Sequence, residues 1–125
     1  MAILGHGVDL ASISRLRSAL EKEHFEKRVF TINEIQYCRS KPDPFPHFAA
    51  RFAAKEAYGK AMGLGLGASG DLLEVEVAQT ESGAPKIQLH GRAKELFART
   101  GAKSVFLSLS HEGDLAFASV IVEGE

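Results

Sequence analysis

Asp9, Glu56 and Lys60 are the residues of this chain whose types and settings could do phosphate chemistry together. Asp9 stands near the end of the otherwise apolar run ILGHGVDL, on the same strand face as two glycines. An isolated buried carboxylate is strongly disfavoured, so an acid there must find a partner or a cation. Glu56 lies within HFAARFAAKEAYGKAM, a segment rich in Ala and Phe, and raises the same question. The ordinary reading is an i,i+4 salt bridge from Glu56 to Lys60; Arg51 and Lys55 have the same spacing. The chemical reading is a hard oxygen site in which Asp9 and Glu56 hold Mg²⁺ with waters and substrate phosphate oxygens. Lys60 would then act as a point charge on those phosphates.

Other reactive residue types are less organised. The five histidines show no zinc-ligand spacing. His111 is set apart by its place at a hairpin turn after the alternating run VFLSLS. Cys38 is the lone cysteine, which excludes an internal disulfide, fits a reducing compartment and reads as a semi-buried thiol. Gly5-His6-Gly7 lacks the third glycine of a dinucleotide fingerprint, and the run from Gly63 to Gly67 follows a helix instead of opening one. Neither contains GK[ST], so each reads as a turn or a close strand approach.

The elements that must position these residues are readable from periodicity. Ala2–Leu10 reads as a strand, with Ile3, Gly5, Gly7 and Asp9 on one face. Ser12 caps a helix in which Ile13, Leu16 and Leu20 recur, with Arg15 and Arg17 off the apolar stripe. Thr31 and Glu34 have capping-box spacing for a short helix through Tyr37. Ser40–Pro46 holds three prolines and reads as a mobile loop. The longest helical pattern runs from His47 to Met62 and presents a small-residue apolar face. Leu72–Ala78 and Pro85–Leu89 read as strands around a turn, Arg92–Arg99 as a helix, and Ser104–Ser110 with Leu115–Val122 as a hairpin.

Length and composition set the frame. The 125 residues fit one domain spanning 1–125, with 45% hydrophobic and 25% charged residues. A formal net charge of −1 argues against general nucleic-acid binding, which needs a basic excess. Ten basic and seven acidic residues fall in 1–60, five and nine in 61–125, a balance that carries meaning only if the basic residues share one face. No apolar run reaches the ~20 residues of a membrane span and no signal peptide opens the sequence, so a cytoplasmic α+β protein is expected.

GHGVDL, RFAAKEAYGKAMGLGLG and LSLSHEGDLAFASVIV, in that order, resemble the holo-acyl-carrier-protein synthase family, the small bacterial phosphopantetheinyl transferases. The resemblance covers essentially the whole chain, and KEAYGKAMG is its most specific block. It implies an α+β fold with a long helix on an antiparallel β-sheet, and transfer of 4′-phosphopantetheine from coenzyme A to a serine of apo acyl carrier protein. Adenosine 3′,5′-bisphosphate would be the second product. Position by position, Asp9 and Glu56 match the family's magnesium ligands. Lys60 matches a lysine on coenzyme A phosphate, and Arg51 and His111 match residues that hold the coenzyme's phosphates. Gly63, Gly65 and Gly67 match the loop along which the coenzyme lies. Arg15 and Arg28 match contacts to the carrier, Arg28 in the Lys27-Arg28 pair just after the first helix, whereas Arg17 is turned roughly 200° from Arg15. Ser110 stands where relatives often have threonine, and the loop before Arg51 varies among relatives, which leaves Lys41 unassigned as a coenzyme contact. A homotrimer with active sites at subunit interfaces is implied. The base for the serine proton is open between Glu56, Asp9 and a water on the metal.

Two rival readings belong to other classes. A non-catalytic coenzyme A or nucleotide-binding module would be marked by loss of one acid, and both are present. A structural trimerisation domain leaves Asp9 and Glu56 without a purpose. A transferase serving polyketide or peptide synthases would share the donor site.

Overall fold

The computed structural model describes residues 1–65 and 70–125. Its main sheet is antiparallel in the order β1-β5-β4, built from β1 (Ala2–Ser12), β4 (Ala102–Glu112) and β5 (Leu115–Gly124). Helices α1 (Ile13–Leu20), α2 (Phe25–Val29) and α3 (Ile32–Arg39) lead into the long α4 (Phe45–Ala61), which packs on β1 and β5. A 3₁₀ turn at Leu72–Glu74, the hairpin β2 (Val75–Gln79) and β3 (Pro85–Leu89), and α5 (Gly91–Arg99) complete the chain.

Local chemistry explains these elements. Thr31 and Glu34 form the expected capping box, each side chain accepting from the other's backbone N–H. The prolines break less than expected. Pro44 caps α4 and Pro46 occupies its first turn, where a missing N–H costs nothing, so the helix starts at Phe45. Asp71 caps the 3₁₀ turn through Leu73 N–H, which removes 72–74 from the expected strand. β4 and β5 run longer than expected and meet at a tight Gly113-Asp114 turn. His111 therefore lies inside β4, opposite Ala116, and not in the turn.

The inner sheet face and α4 form the core. Phe48, Ala49, Ala53, Ala57 and Tyr58 of α4 share one buried core with Ala116, Ala118, Val120 and Val122 of β5. Gly5 and Gly7 explain how closely the two layers sit. A Cβ on Gly5 would lie 1.7 Å from the Ala61 carbonyl oxygen, and one on Gly7 2.1 Å from that of Ala57. The glycines of β1 thus serve the approach of a helix, not a turn. Ile3 does not share this face, because the register slips between Ile3 and Gly5 and leaves it exposed. The outer face carries Leu4, Val8, Leu10, Phe106 and Leu115, all exposed.

Candidate active site

The close β1–α4 contact brings Asp9 to Lys60. Lys60 Nζ donates to Asp9 Oδ1 at 2.9 Å and to the Val8 carbonyl at 3.0 Å. The ion pair of Lys60 therefore crosses elements, to Asp9, in place of the i,i+4 bridge to Glu56 that helical spacing alone offers. Glu56 shares the cluster: burial first and Asp9 second push its carboxyl above the ordinary carboxylate value, and Lys60 opposes them. Two carboxylates against one ammonium leave a negative excess beside a cavity of about 470 Å³ lined by Val8, Asp9, Leu10, Lys60 and Phe117. This donor set fits Mg²⁺, which takes one or two protein carboxylates and fills its octahedron with water and phosphate oxygens. Among the described residues, no three or more acidic, histidine or cysteine side chains converge as a closed metal cage would need.

A second cluster is cationic. Arg51 is only 2% exposed, and its guanidinium lies 4.1 Å from the centre of the Tyr37 ring. Its Nη1 donates to the His47 carbonyl at 3.3 Å and Nη2 to Gln79 Oε1 at 3.2 Å, while Nε is buried without a partner. Arg51, His47, Tyr37, Gln79, Ser110 and His111 are among the residues around a cavity of about 150 Å³. Burial, then Arg51, Lys41 and His111, push the His47 imidazole below its ordinary value. His47, Arg51 and His111 thus line one small cavity, and Lys41, 4.7 Å from the centre of the Tyr37 ring, adds a charge beside it, an arrangement that suits a multiply charged anion. The sequence leaves Lys41 unassigned and does not single out His47. His47 and Arg51 stand four apart on α4, and that spacing was the available signal.

The acid and cation clusters remain separate within one chain. Glu56 is five residues past Arg51, a rotation of roughly 140° around α4. Asp9 lies on one edge strand and His111 on the other, with β5 between them. Lys55, paired with Arg51 by spacing alone in the sequence, turns inward to the acid Glu34. Burial pushes its ammonium pKa down, against the pull of Glu34.

The remaining candidates lie around these clusters. Gly63 and Gly65 follow α4 directly, Gly63 with φ +74°; Gly67 falls outside the described residues. Arg15 is exposed beside a groove formed with Leu10, Leu16, Ala19, Phe25 and Phe52. Arg28 is exposed on α2, a separate helix that begins after His24 in the left-handed conformation. It therefore does not simply trail α1. Arg17 is held over the Phe45 ring at 4.5 Å. Cys38 is fully buried and its thiol is pushed up to about 12, so it offers no nucleophile.

Comparison with known proteins defines the class. The family model described as the 4′-phosphopantetheinyl transferase superfamily matches residues 5–119, and the chain belongs to that superfamily. Holo-acyl-carrier-protein synthase of Geotalea daltonii is 42% identical over 97% of this chain and 98% of its own length. That of Treponema denticola is 43% identical over 98% and 99%. Among solved structures, holo-acyl-carrier-protein synthase from Neisseria meningitidis superposes with a TM-score of 0.89 at 29% identity, covering 98% of this chain and 99% of that one. The Bacillus anthracis enzyme in complex with CoA (3′,5′-ADP) gives 0.82 at 31% identity, covering 98% of each chain. The α+β class and the family expected from the three sequence blocks are the ones found.

Proposed function

We propose that this chain is a holo-acyl-carrier-protein synthase: it transfers 4′-phosphopantetheine from coenzyme A to a serine hydroxyl of apo acyl carrier protein. The observation that carries the reading is the Asp9–Lys60–Glu56 cluster, set by β1 and α4 in a chain of this family. The serine oxygen bonds to the β-phosphorus of the coenzyme. The bridging oxygen bond to that phosphorus breaks, and adenosine 3′,5′-bisphosphate leaves. Asp9 and Glu56 would hold magnesium, which when bound neutralises charge on the pyrophosphate. Lys60 moves from Asp9 toward the phosphates and stabilises the leaving charge. The serine proton goes to a base within hydrogen-bond reach, and Asp9 and Glu56 are the carboxylates the site offers. Arg51 and His111, with Lys41 and His47, hold the coenzyme's phosphates, and Gly63 and Gly65 lie along its path.

The active assembly is a homotrimer with sites at subunit interfaces. Support comes from the opposite edges of the sheet: Asp9 lies on β1, and His111, which lines a cavity with Arg51 and His47 of α4, lies on β4. An interface that joins unlike edges is head-to-tail, and a three-fold rotation would close it into a ring. Exposed Leu4, Val8, Leu10, Phe106 and Leu115 offer an apolar surface for it. Arg15 and Arg28 would meet the acidic carrier, with the groove beside Arg15 taking an apolar side chain. A cytoplasmic, single-domain enzyme fits the lone buried thiol; no helix among the described residues is long and apolar enough to cross a membrane.

Incubation of the purified protein with apo carrier, coenzyme A and Mg²⁺ tests this. Mass spectrometry should find phosphopantetheine on the carrier's serine. An unmodified carrier under saturating coenzyme A would contradict the assignment.

A further inference from the structure

Lys55 and Glu34 form an ion pair at 2.8 Å with both side chains fully buried. Every proton of the ammonium is used, because Lys55 Nζ also donates to the carbonyls of Leu72 and Val75, each at 2.8 Å. Glu34 is equally occupied: Oε1 accepts from Thr31 N–H at 2.9 Å and Oε2 from Val77 N–H at 2.8 Å. One pair therefore ties α3, α4 and β2 together at a single point. Apolar side chains of similar volume would hold such a junction at least as well, so stability is a weak explanation for burying two charges there. Directional bonds, unlike apolar contacts, fix register.

The same three elements deliver the cation cluster. Tyr37 is three residues past Glu34 on α3, Arg51 is four before Lys55 on α4, and Gln79 is two past Val77 on β2. These residues close a triangle: Arg51 lies over Tyr37 and donates to Gln79, and Gln79 Nε2 donates to Tyr37 Oη at 3.3 Å. The triangle aims Arg51 at the cavity that His111 also lines. We propose that Glu34 and Lys55 are positioning residues, a register lock one helical turn away that sets Arg51 for its anionic ligand. The proposal rests on the reading that Arg51 holds coenzyme phosphate.

The probe is adenosine 3′,5′-bisphosphate, with binding measured by calorimetry. Arg51→Ala tests the underlying reading and should weaken binding about tenfold or more, roughly 1.4 kcal/mol. Glu34→Leu with Lys55→Met removes the lock without leaving a lone charge. Glu34→Gln is the milder variant, read in the same way if the double variant does not fold. Folded lock variants should lose about three- to tenfold in bisphosphate affinity and raise the KM for coenzyme A equally. Their kcat and carrier KM should stay within about twofold of the parent. The buried Arg51 Nε–H, followed by nitrogen NMR, should shift and lose protection from exchange. If Arg51→Ala binds the bisphosphate as the parent does, the phosphate reading fails, whatever the lock does. If Arg51→Ala weakens binding while folded lock variants bind normally with an unmoved Nε signal, the pair is only structural and the proposal is overturned.

Discussion

Replacing Gly7 with alanine should separate the two halves of the acid cluster without replacing a charged residue. The added methyl would sit 2.1 Å from the Ala57 carbonyl oxygen, 2.7 Å from the Ala61 nitrogen and 3.0 Å from Lys60 Cβ. Ordinary contact begins near 3.4 Å, so α4 must retreat from β1 by roughly 1.3 Å along the shortest line. The obstacle is helix backbone, which cannot swing aside as a side chain would. Overpacking of this kind costs about 1–3 kcal/mol. For a domain of this size that lowers Tm by roughly 4–15 °C. The functional loss should be larger, because Glu56 and Lys60 ride on the displaced helix while Asp9 stays on the strand. A misplacement near 1 Å can cost about a hundredfold in rate. Circular dichroism melting and turnover, measured well below the variant's Tm, report the two effects separately. Gly83→Ala is the control for alanine at a glycine, since its methyl meets open space and only its φ of +89° opposes it. A Gly7→Ala protein with parental melting and parental turnover would refute the account of why β1 carries glycine there.

Further expectations follow from the charges. Because Glu56 is raised above its ordinary value of 4.5, its stabilising contribution to the metal-free fold is present below that pH and is lost as pH rises through the raised value. The melting difference between parent and Glu56→Gln across that window should show this sign, and Mg²⁺ should restore stability on the alkaline side; no pH dependence in the difference would contradict it. Excess chelator should abolish turnover, and the Mg²⁺ needed for half-maximal activity should rise as pH falls toward the Glu56 range, because metal and proton compete for the carboxylate. Arg15→Glu and Arg28→Glu should each raise carrier KM about tenfold at low salt and leave coenzyme KM unchanged, as steady-state kinetics with each substrate varied would show. Leu10→Lys, on the exposed outer sheet face, should shift light scattering toward monomer and reduce activity in parallel.

Local rules made much of this fold legible. The Thr31/Glu34 capping box, the alternation of the last two strands and the small-residue face of α4 each depend on neighbours within a few residues. Asp9 and Glu56 stood out because acids in apolar runs demand compensation. What stayed hidden depended on partners distant in sequence. Glu34 read only as a cap, yet its carboxylate also closes a buried bridge to Lys55. Lys60 was matched to Glu56 by helical spacing, whereas the approach of β1 gives it Asp9. The prolines around α4 looked like breakers because position within the first helical turn decides whether proline disrupts. His111 read as a turn residue because a tight Gly113-Asp114 connection was not anticipated, so β4 extends through it. Lys41 and His47 gained significance only when Arg51 was seen beside them.

Subunit complementation tests most directly the claim that one transferase site combines an acid edge and a cation edge from neighbouring copies. Asp9→Asn and Arg51→Ala chains, each inactive or nearly so at low coenzyme A, would be mixed under denaturant in equal amounts, refolded together and assayed for carrier modification by mass spectrometry. In a head-to-tail ring, a site is intact when an Arg51→Ala copy supplies the acids and an Asp9→Asn copy supplies the cations, so random mixing should recover about a quarter of parental activity. Activity no greater than the mean of the two separate variants, with trimers formed, would mean that both edges serve the same chain's site, and the composite site would be wrong.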